Sequence, residues 1–363
     1  MDGSDYVVLD AQEPQFVRNC ILDPEYEARN TRGTLLSRFA QCAQERGWSV
    51  LTADVFLAER PSFRQAASLS TEFTPFLPEL VQVGVKPGLL VSGESPNVAS
   101  RFYEDLPRRS APFRHACLFR GSLSRLAPGV EGHPYLYPCP APVLAADRPW
   151  VERRIVGWVA GFKGVWIGPR SWLRNLPAVL RSRWRRFREP SLRMRNLYGV
   201  RLELARRFGP MPGFVLRGTD WEHTLAGQCA WYRRPVEFSN RPAPCEDKLA
   251  ALGECRFALA IENAAYPGYV TEKVFDAFRS GAVPVYLGAP DIEDFVPAEC
   301  FIDYRSFARP ELLWNHLAEM PERRWTQYRE AARVFMASDQ YKEHLEEHVA
   351  RRWMEWLSVP CSC

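Results

Sequence analysis

Residues 257–288 read FALAIENAAYPGYVTEKVFDAFRSGAVPVYLG, and this stretch decides the fold of the second half of the chain. The apolar runs 257–261 and 283–287 predict two short strands buried on both faces of a parallel sheet. A helix is predicted between them. It begins after Thr271, which has the chemistry of an N-cap, and it ends at Gly281, a left-handed C′ residue. The stretch therefore predicts a βαβ unit.

The loop and first helical turn of this unit form the expected ligand site, because open α/β sheets bind ligands outside the carboxyl ends of their strands. Glu272 suits the first turn of a helix, whereas Lys273 opposes the helix dipole by about 0.3–1 kcal/mol. An anion bound at the helix N-terminus would reverse that sign. The sequence therefore leaves two interpretations of Lys273, an anion-binding residue or a solvated surface lysine.

The same residues resemble a known family. Glu262 and Asn263, YVTEK at 269–273 and VPVYLG at 283–288 resemble the donor-binding signature of the α1,3/4-fucosyltransferases of glycosyltransferase family 10. The resemblance extends, with gaps, over 89–307. It implies an α/β protein of the GT-B class with two Rossmann-like domains facing a central cleft, and a soluble, bacterial-type member of the family.

The length of 363 residues suits two domains, each with its own core. A segment rich in Pro and Ala at 140–149 reads as the linker. We expect an acceptor-binding domain at 1–145, a GDP-fucose-binding domain at 146–335, and a C-terminal helix packing across both domains within 336–363. The spacing of its apolar residues predicts that this helix runs over 340–357.

Glu94 is the candidate catalytic base. It follows the apolar strand 89–91 in the segment GESPN, and transfer to a sugar hydroxyl needs a base near the attacking oxygen. By itself the pattern is more typical of an exposed glutamate in a turn. The resemblance makes Glu94 the position that matches the family's proposed base. Phe119 and the GSL at 121–123 depart from the family pattern.

The resemblance also implies how the donor is bound. The implied donor-binding residues are Arg195, Asn263, Tyr269, Thr271, Glu272 and Lys273. Arg195 and Lys273 would meet the diphosphate, and Glu272 would accept hydrogen bonds from the ribose hydroxyls. Further residues expected in the cleft are Arg120, Lys163 and Glu262.

No metal or cofactor is expected besides the donor GDP-fucose. The acids Asp291, Glu293 and Asp294 form no Asp-x-Asp motif and are predicted to be solvated. His133 could be a site histidine, but a loop histidine before a proline is more often exposed, and we favour that interpretation.

The composition and the absence of two nucleotide-binding motifs exclude several classes of protein. The net charge of +4 is too small to argue for nucleic acid, and the sequence lacks GxGxxG and GxxxxGK[ST] loops. It has no apolar run of 18 residues and no signal peptide, so we expect a cytoplasmic protein with reduced cysteines.

Residues 170–207 hold twelve arginines. This segment suits a solvated helix face, a surface for anionic lipid or nucleic acid, or a wall of a phosphate cleft. We favour a mixture, in which 172–188 contacts the inner membrane peripherally or a partner.

The predicted function is inverting α1,3-fucosyl transfer from GDP-β-L-fucose to a hydroxyl of an acceptor glycan containing GlcNAc or Glc. One alternative is a GT-B transferase that uses another nucleotide sugar. The other is a non-catalytic protein that binds through the basic surface of 170–207.

Overall fold

The computed structural model describes residues 4–11, 16–31, 33–142, 147–161, 195–219, 221 and 244–358. The chain forms two compact units. The first comprises 1–141, 189–193 and 341–363, and the second comprises 142–188 and 194–340. Within the described residues, no helix is long and apolar enough to cross a membrane.

The first unit is a six-stranded parallel sheet with helices. Its strands follow the order β2-β1-β3-β4-β5-β6 and are β1 (Ser4–Asp10), β2 (Trp48–Thr52), β3 (Phe63–Ser70), β4 (Lys86–Val91), β5 (His115–Leu118) and β6 (Glu131–Pro134). Its helices are α1 (Pro24–Thr31), α2 (Leu35–Glu45), α3 (Ala53–Glu59), α4 (Leu77–Gln82), α5 (Ser100–Glu104) and α6 (Leu106–Ser110).

The second unit has a five-stranded parallel sheet in the order β13-β12-β10-β7-β9. Its strands are β7 (Arg154–Val159), β9 (Phe214–Arg217), β10 (Cys255–Ile261), β12 (Val283–Leu287) and β13 (Ile302–Asp303), and β8 (Arg195–Asn196) pairs separately with β11 (Ala264–Ala265). Helix α7 (Tyr198–Phe208) lies between β8 and β9. The helices that follow residue 244 are α8 (Lys248–Gly253), α9 (Glu272–Arg279), α10 (Pro310–Glu319), α11 (Glu322–Ala337), α12 (Asp339–Lys342) and α13 (Glu346–Ser358).

The predicted βαβ unit is confirmed as β10, α9 and β12. The two strands pair in parallel, with Ile261 opposite Leu287, and every residue of the predicted runs 257–261 and 283–287 is buried. Gly281 adopts a φ of 70°, which lets the chain turn out of α9 at low cost. Pro284 is tolerated inside β12 because β13 pairs only from Val285 onward.

The helix predicted over 340–357 is two helices, so that prediction was wrong in one respect. The backbone between α12 and α13 pairs with Cys139, whose N–H donates to the His344 carbonyl at 2.6 Å and whose carbonyl accepts from Glu346 N–H at 2.9 Å. These bonds use backbone groups that a continuous helix would need for itself.

Helix α13 packs on α2 within the first unit. The rings of Phe39 and Trp353 meet edge to face at 6.4 Å. The buried carboxylate of Glu346 accepts from the Thr34 N–H at 2.9 Å and from its hydroxyl at 2.8 Å, at the start of α2. The end of α13 thus covers an apolar face that α2 would otherwise expose.

Asp10 is fully buried at the carboxyl end of β1. One oxygen accepts from the Phe76 N–H at 3.1 Å, while Oδ2 has no hydrogen-bond partner among the described residues. Burial raises the pKa of this carboxyl group to about 6 from its ordinary 3.8.

We expect Asp10 to make the wild type less stable as the pH rises from about 4 to about 6. The unfolded chain loses the proton first, so unfolding releases a proton in this window and the free energy of unfolding falls. Relative to Asp10→Asn, the wild type should lose up to about 3 kcal/mol across the window, at about 1.4 kcal/mol per pKa unit. Urea titrations at several pH values measure this. Asp105→Asn, at a partly exposed carboxylate, is the control, and parallel pH profiles for wild type and Asp10→Asn would contradict the expectation.

Candidate functional site

Glu262 occupies the carboxyl end of β10 and is fully buried. Its N–H donates to the Leu287 carbonyl at 2.8 Å, so β12 holds its backbone. Its carboxylate accepts from the Thr271 N–H at 2.9 Å, from the Thr271 hydroxyl at 2.8 Å and from Lys273 Nζ at 2.8 Å. The strand end and the start of α9 are thereby tied together by one carboxylate.

Thr271 is at the N-cap position of α9, as predicted, but its hydroxyl makes no capping hydrogen bond. The hydroxyl instead lies 2.8 Å from Lys273 Nζ and 2.8 Å from both oxygens of Glu262. It can accept from the ammonium group while it donates to the carboxylate. The sequence rule for capping found the right residue and missed the role of its side chain.

The charges around the first turn of α9 compensate one another. Lys273 Nζ lies 2.8 Å from Glu262 and 3.5 Å from Glu272, and Lys248 Nζ lies 3.7 Å from Glu272 and 2.5 Å from Asp276. The unfavourable position of Lys273 on the helix dipole is therefore offset by a buried carboxylate of the same chain. The sequence interpretations considered only an external anion or solvent.

The protonation states follow from the same contacts. Burial lowers the pKa of Lys273, but the carboxylates of Glu262 and Glu272 outweigh burial and raise it. Burial raises the pKa of Glu272, yet Lys273 and Lys248 bring it down to about 2. Both side chains are ionised at neutral pH.

Arg201 forms a second buried group beside this cluster. Its guanidinium donates to Asn263 Oδ1 at 2.6 Å and to the Gly161 carbonyl at 3.1 Å, and it packs over the ring of Tyr198 with 5.2 Å between guanidinium carbon and ring centroid. Asn263 in turn lies 3.4 Å from the Tyr269 hydroxyl. Two predicted donor residues are thus ordered by an arginine that was not predicted.

Sequence reasoning missed Arg201 because it is one of twelve arginines in 170–207. The available signal was its position in α7. It lies four residues after Leu197 and three before Leu204, on the stripe of residues that the helix buries. An arginine on the apolar face of a helix requires a specific partner, which a surface arginine does not.

Arg195 is exposed and lies in β8, three residues before α7 begins. It is opposite Ala265 in the antiparallel β8–β11 pair. This pairing brings Arg195 next to the loop that follows β10 and carries Asn263. Lys163 and the segment 172–188 lie outside the described residues.

Gly288 is required by the packing of Glu262. A Cβ atom on Gly288 would lie 2.5 Å from Glu262 Cγ and would also clash with the Tyr286 hydroxyl. That hydroxyl accepts from the Ala289 N–H at 2.9 Å, so neither neighbour can move without breaking a buried contact. The glycine at the end of β12 is therefore part of the site.

Glu94 follows β4 in the first unit, and its side chain is exposed. Its backbone is held from both sides. The N–H lies 3.3 Å from Glu72 Oε1, and the carbonyl accepts from the Tyr103 hydroxyl at 2.8 Å. Glu72 also accepts from the Ser92 hydroxyl at 2.6 Å. A buried network therefore fixes the loop while the carboxylate of Glu94 faces outward.

Glu72, Glu94 and Arg120 follow β3, β4 and β5, which are adjacent in the sheet. The carboxyl ends of parallel strands meet at one edge, so these residues share that edge. Arg120 is exposed there. Glu72 was not predicted, because β3 (FRQAASLS) is not an apolar run like the one that precedes Glu94.

Residues 224–355 match the family description "Glycosyltransferase family 10 (fucosyltransferase) C-term". We call residues 224–355 the family 10 region, because they match that description. The family 10 region contains β10, α9 and β12, and with them Glu262, Asn263 and Lys273. Arg195, Arg120 and Glu94 lie before it.

Two named relatives match part of this chain. An Arabidopsis thaliana protein named alpha-(1,4)-fucosyltransferase is 46% identical over 84 residues, which is 23% of this chain and 21% of that protein. A Mus musculus protein named 4-galactosyl-N-acetylglucosaminide 3-alpha-L-fucosyltransferase 9 is 26% identical over 115 residues, 31% of this chain and 30% of that protein. The matched segments thus span less than a third of either relative.

A solved structure supports the fold over the whole chain. Anabaena HepE in complex with UDP-glucose has a TM-score of 0.52 at 11% identity, over 98% of this chain and 99% of that one. An alpha1,3-fucosyltransferase with GDP has a TM-score of 0.48 at 12% identity, over 98% and 90%. Two parallel α/β units and the likeness to HepE confirm the predicted GT-B class.

Replacing Lys273 with Met should lower the free energy of unfolding by about 3–5 kcal/mol, because Glu262 would keep its buried charge without a partner. The loss should shrink at low pH, where Glu262 takes up a proton. Urea denaturation measures both effects.

The double variant Glu262→Gln/Lys273→Met should recover part of the loss, since it removes both charges. Lys86→Met, at an exposed lysine of β4, is the matched control and should change stability little. A Lys273→Met protein as stable as Lys86→Met would show that the ion pair does not hold the site together.

Proposed function

We propose that this protein transfers L-fucose from GDP-β-L-fucose to a hydroxyl of an acceptor glycan with inversion at the anomeric carbon. The observation that carries the proposal is the built site at the end of β10, where Glu262, Thr271 and Lys273 interlock inside the family 10 region. The names of the two relatives, both fucosyltransferases, support the donor and the sugar.

In the proposed donor site, the diphosphate lies at the first turn of α9. Lys273 has three N–H groups, two of which contact Glu262 and Thr271 at 2.8 Å. The third N–H has only the 3.5 Å contact to Glu272 among the described residues, so a phosphate oxygen can replace Glu272 as its hydrogen-bond acceptor. Glu262 and Thr271 fix the ammonium group in advance, which avoids reorganisation when charge develops on the leaving group.

The other donor contacts follow from the neighbouring residues. Asn263 and Tyr269 are ordered by Arg201, whose buried charge adds positive potential at the end of β10. Arg195 is exposed beside them and can reach a phosphate, and Glu272, ionised at neutral pH, can accept from ribose hydroxyls. The proposal assigns the neutralisation of the diphosphate to these protein groups and needs no divalent ion.

Glu94 is the proposed base. Its carboxylate takes the proton of the acceptor hydroxyl as that oxygen attacks the anomeric carbon, and the bond to the β-phosphate breaks with its electron pair leaving on GDP. A single displacement of this kind inverts the configuration. The exposed side chain on a fixed loop suits a base that must meet an acceptor arriving from solvent.

The donor is tested by incubating the full chain with GDP-fucose, GDP-mannose and UDP-galactose and with oligosaccharides containing GlcNAc or Glc. We expect transfer, or slow donor hydrolysis without acceptor, from GDP-fucose alone. A preference for UDP-galactose or GDP-mannose would replace the proposal by a transferase for another nucleotide sugar. GDP binding without any transfer to a glycan array would contradict the enzymatic proposal.

Glu94→Gln should lower kcat by about 10²–10⁴-fold, because the amide keeps the shape of the side chain but cannot take the proton. The Kd for GDP should not change, since the donor site lies in the other unit. Steady-state transfer assays and calorimetry measure the two quantities.

Glu59→Gln, at an exposed glutamate that ends α3, is the matched control and should keep full activity. Full activity in Glu94→Gln as well would remove Glu94 from the mechanism.

A further inference from the structure

Three metal-ligating side chains converge at the first residues of β5 and β6. His115 is opposite Glu131 in the register of these strands, and His133 lies two residues after Glu131. Residues two apart in a strand share a face, so all three point to the same side of the sheet. His133 was predicted to be an exposed loop residue, which was wrong, because it lies in β6 with only 14% of its side chain exposed.

The ligand atoms of the three side chains lie close together. His115 Nδ1 lies 3.2 Å from His133 Nε2 and 3.4 Å from Glu131 Oε2, and His133 Nε2 lies 3.8 Å from Glu131 Oε1. Zinc bound tetrahedrally at about 2.0–2.1 Å from each ligand requires ligand atoms about 3.3–3.4 Å apart. The two nitrogens are close to that separation, and the Glu131 carboxylate approaches each of them through a different oxygen.

We propose that His115, Glu131 and His133 bind one Zn²⁺ ion, with water as the fourth ligand. Two imidazoles and a carboxylate are a ligand set that zinc prefers. The Glu131 side chain is 66% exposed, so the ion can enter from solvent and water can complete the coordination.

Hydrogen bonds alone satisfy this cluster poorly. A neutral imidazole carries one N–H and one lone pair. His115 Nδ1 faces both the nitrogen of His133 and the oxygen of Glu131, and a single proton cannot serve both contacts well. A cation accepts all three lone pairs at once.

The surroundings hold the ligands in place. The His133 ring stacks on the Trp356 indole of α13 with 3.8 Å between centroids and 12° between planes. His115 is only 4% exposed. The nearby positive charge of Arg352 is paired with Glu343 at 2.7 Å, which lessens its opposition to a cation. Packing thus fixes both imidazoles before an ion arrives.

The proposed site is structural rather than catalytic. His115 and Glu131 begin their strands, whereas Glu94 and Arg120 follow the carboxyl ends of β4 and β5, at the opposite edge of the sheet. The ion would fasten the short edge strand β6 to β5 and, through His133 and Trp356, to α13.

The test uses the full chain after treatment with EDTA and removal of the chelator. Equilibrium dialysis against ZnCl₂ with elemental analysis should give one bound Zn²⁺, and zinc should raise the Tm. Co²⁺ in place of zinc should give a tetrahedral spectrum without thiolate-to-cobalt charge transfer, which separates this site from the chain's ten cysteines.

Glu131→Gln and His133→Phe should each weaken zinc binding at least about tenfold and abolish the rise in Tm, as loss of a ligand requires. His133→Phe keeps an aromatic ring against Trp356, and Glu131→Gln changes an exposed side chain, so both should fold. His348→Gln, on α13 but outside the cluster, is the control and should bind zinc as the wild type does. Equal zinc binding by wild type and Glu131→Gln, or a thiolate spectrum with cobalt, would overturn the proposal.

Discussion

The buried ion pair between Glu262 and Lys273 is the constraint on which the second unit's site depends. A carboxylate with no solvent exposure is tolerated only when charge and hydrogen bonds replace its water. Lys273 supplies the charge, and the Thr271 backbone and hydroxyl supply two further donors. The chain must therefore place the end of β10 and the start of α9 within hydrogen-bonding distance. Gly288 gives the carboxylate the space that it occupies.

Both units put polar residues at the carboxyl ends of parallel strands, but they hold them differently. In the second unit, the charged groups themselves are interlocked and largely buried. In the first unit, Glu72 and Tyr103 bind the backbone of the loop and leave the Glu94 carboxylate exposed. A rigid site with its charges already in place suits a fixed anionic group, whereas an exposed carboxylate on a fixed loop suits a base that takes a proton from a substrate arriving from solvent.

The pattern of apolar runs was enough to predict β10, α9 and β12, because a buried parallel strand and an amphipathic helix leave clear periods in the sequence. The pattern was not enough to predict which polar side chains bond to one another. Glu262 and Lys273 are eleven residues apart, and Arg201 and Asn263 are sixty-two apart. Such pairings depend on the register of strands and loops, which periodicity does not encode. The break between α12 and α13 was missed for the same reason, since it arises from pairing with the distant Cys139.

The contact between α2 and α13 joins residues 312 positions apart, as in the bond from Thr34 to Glu346. During synthesis, α2 leaves the ribosome long before the segment that covers it. The apolar face around Phe39 therefore stays exposed or transiently covered while the whole second unit is translated. The second unit can fold during that time. The first unit thus begins to be synthesised before the second but can finish folding only after it. Chaperones that bind the nascent chain should therefore bind mainly to the apolar face around Phe39.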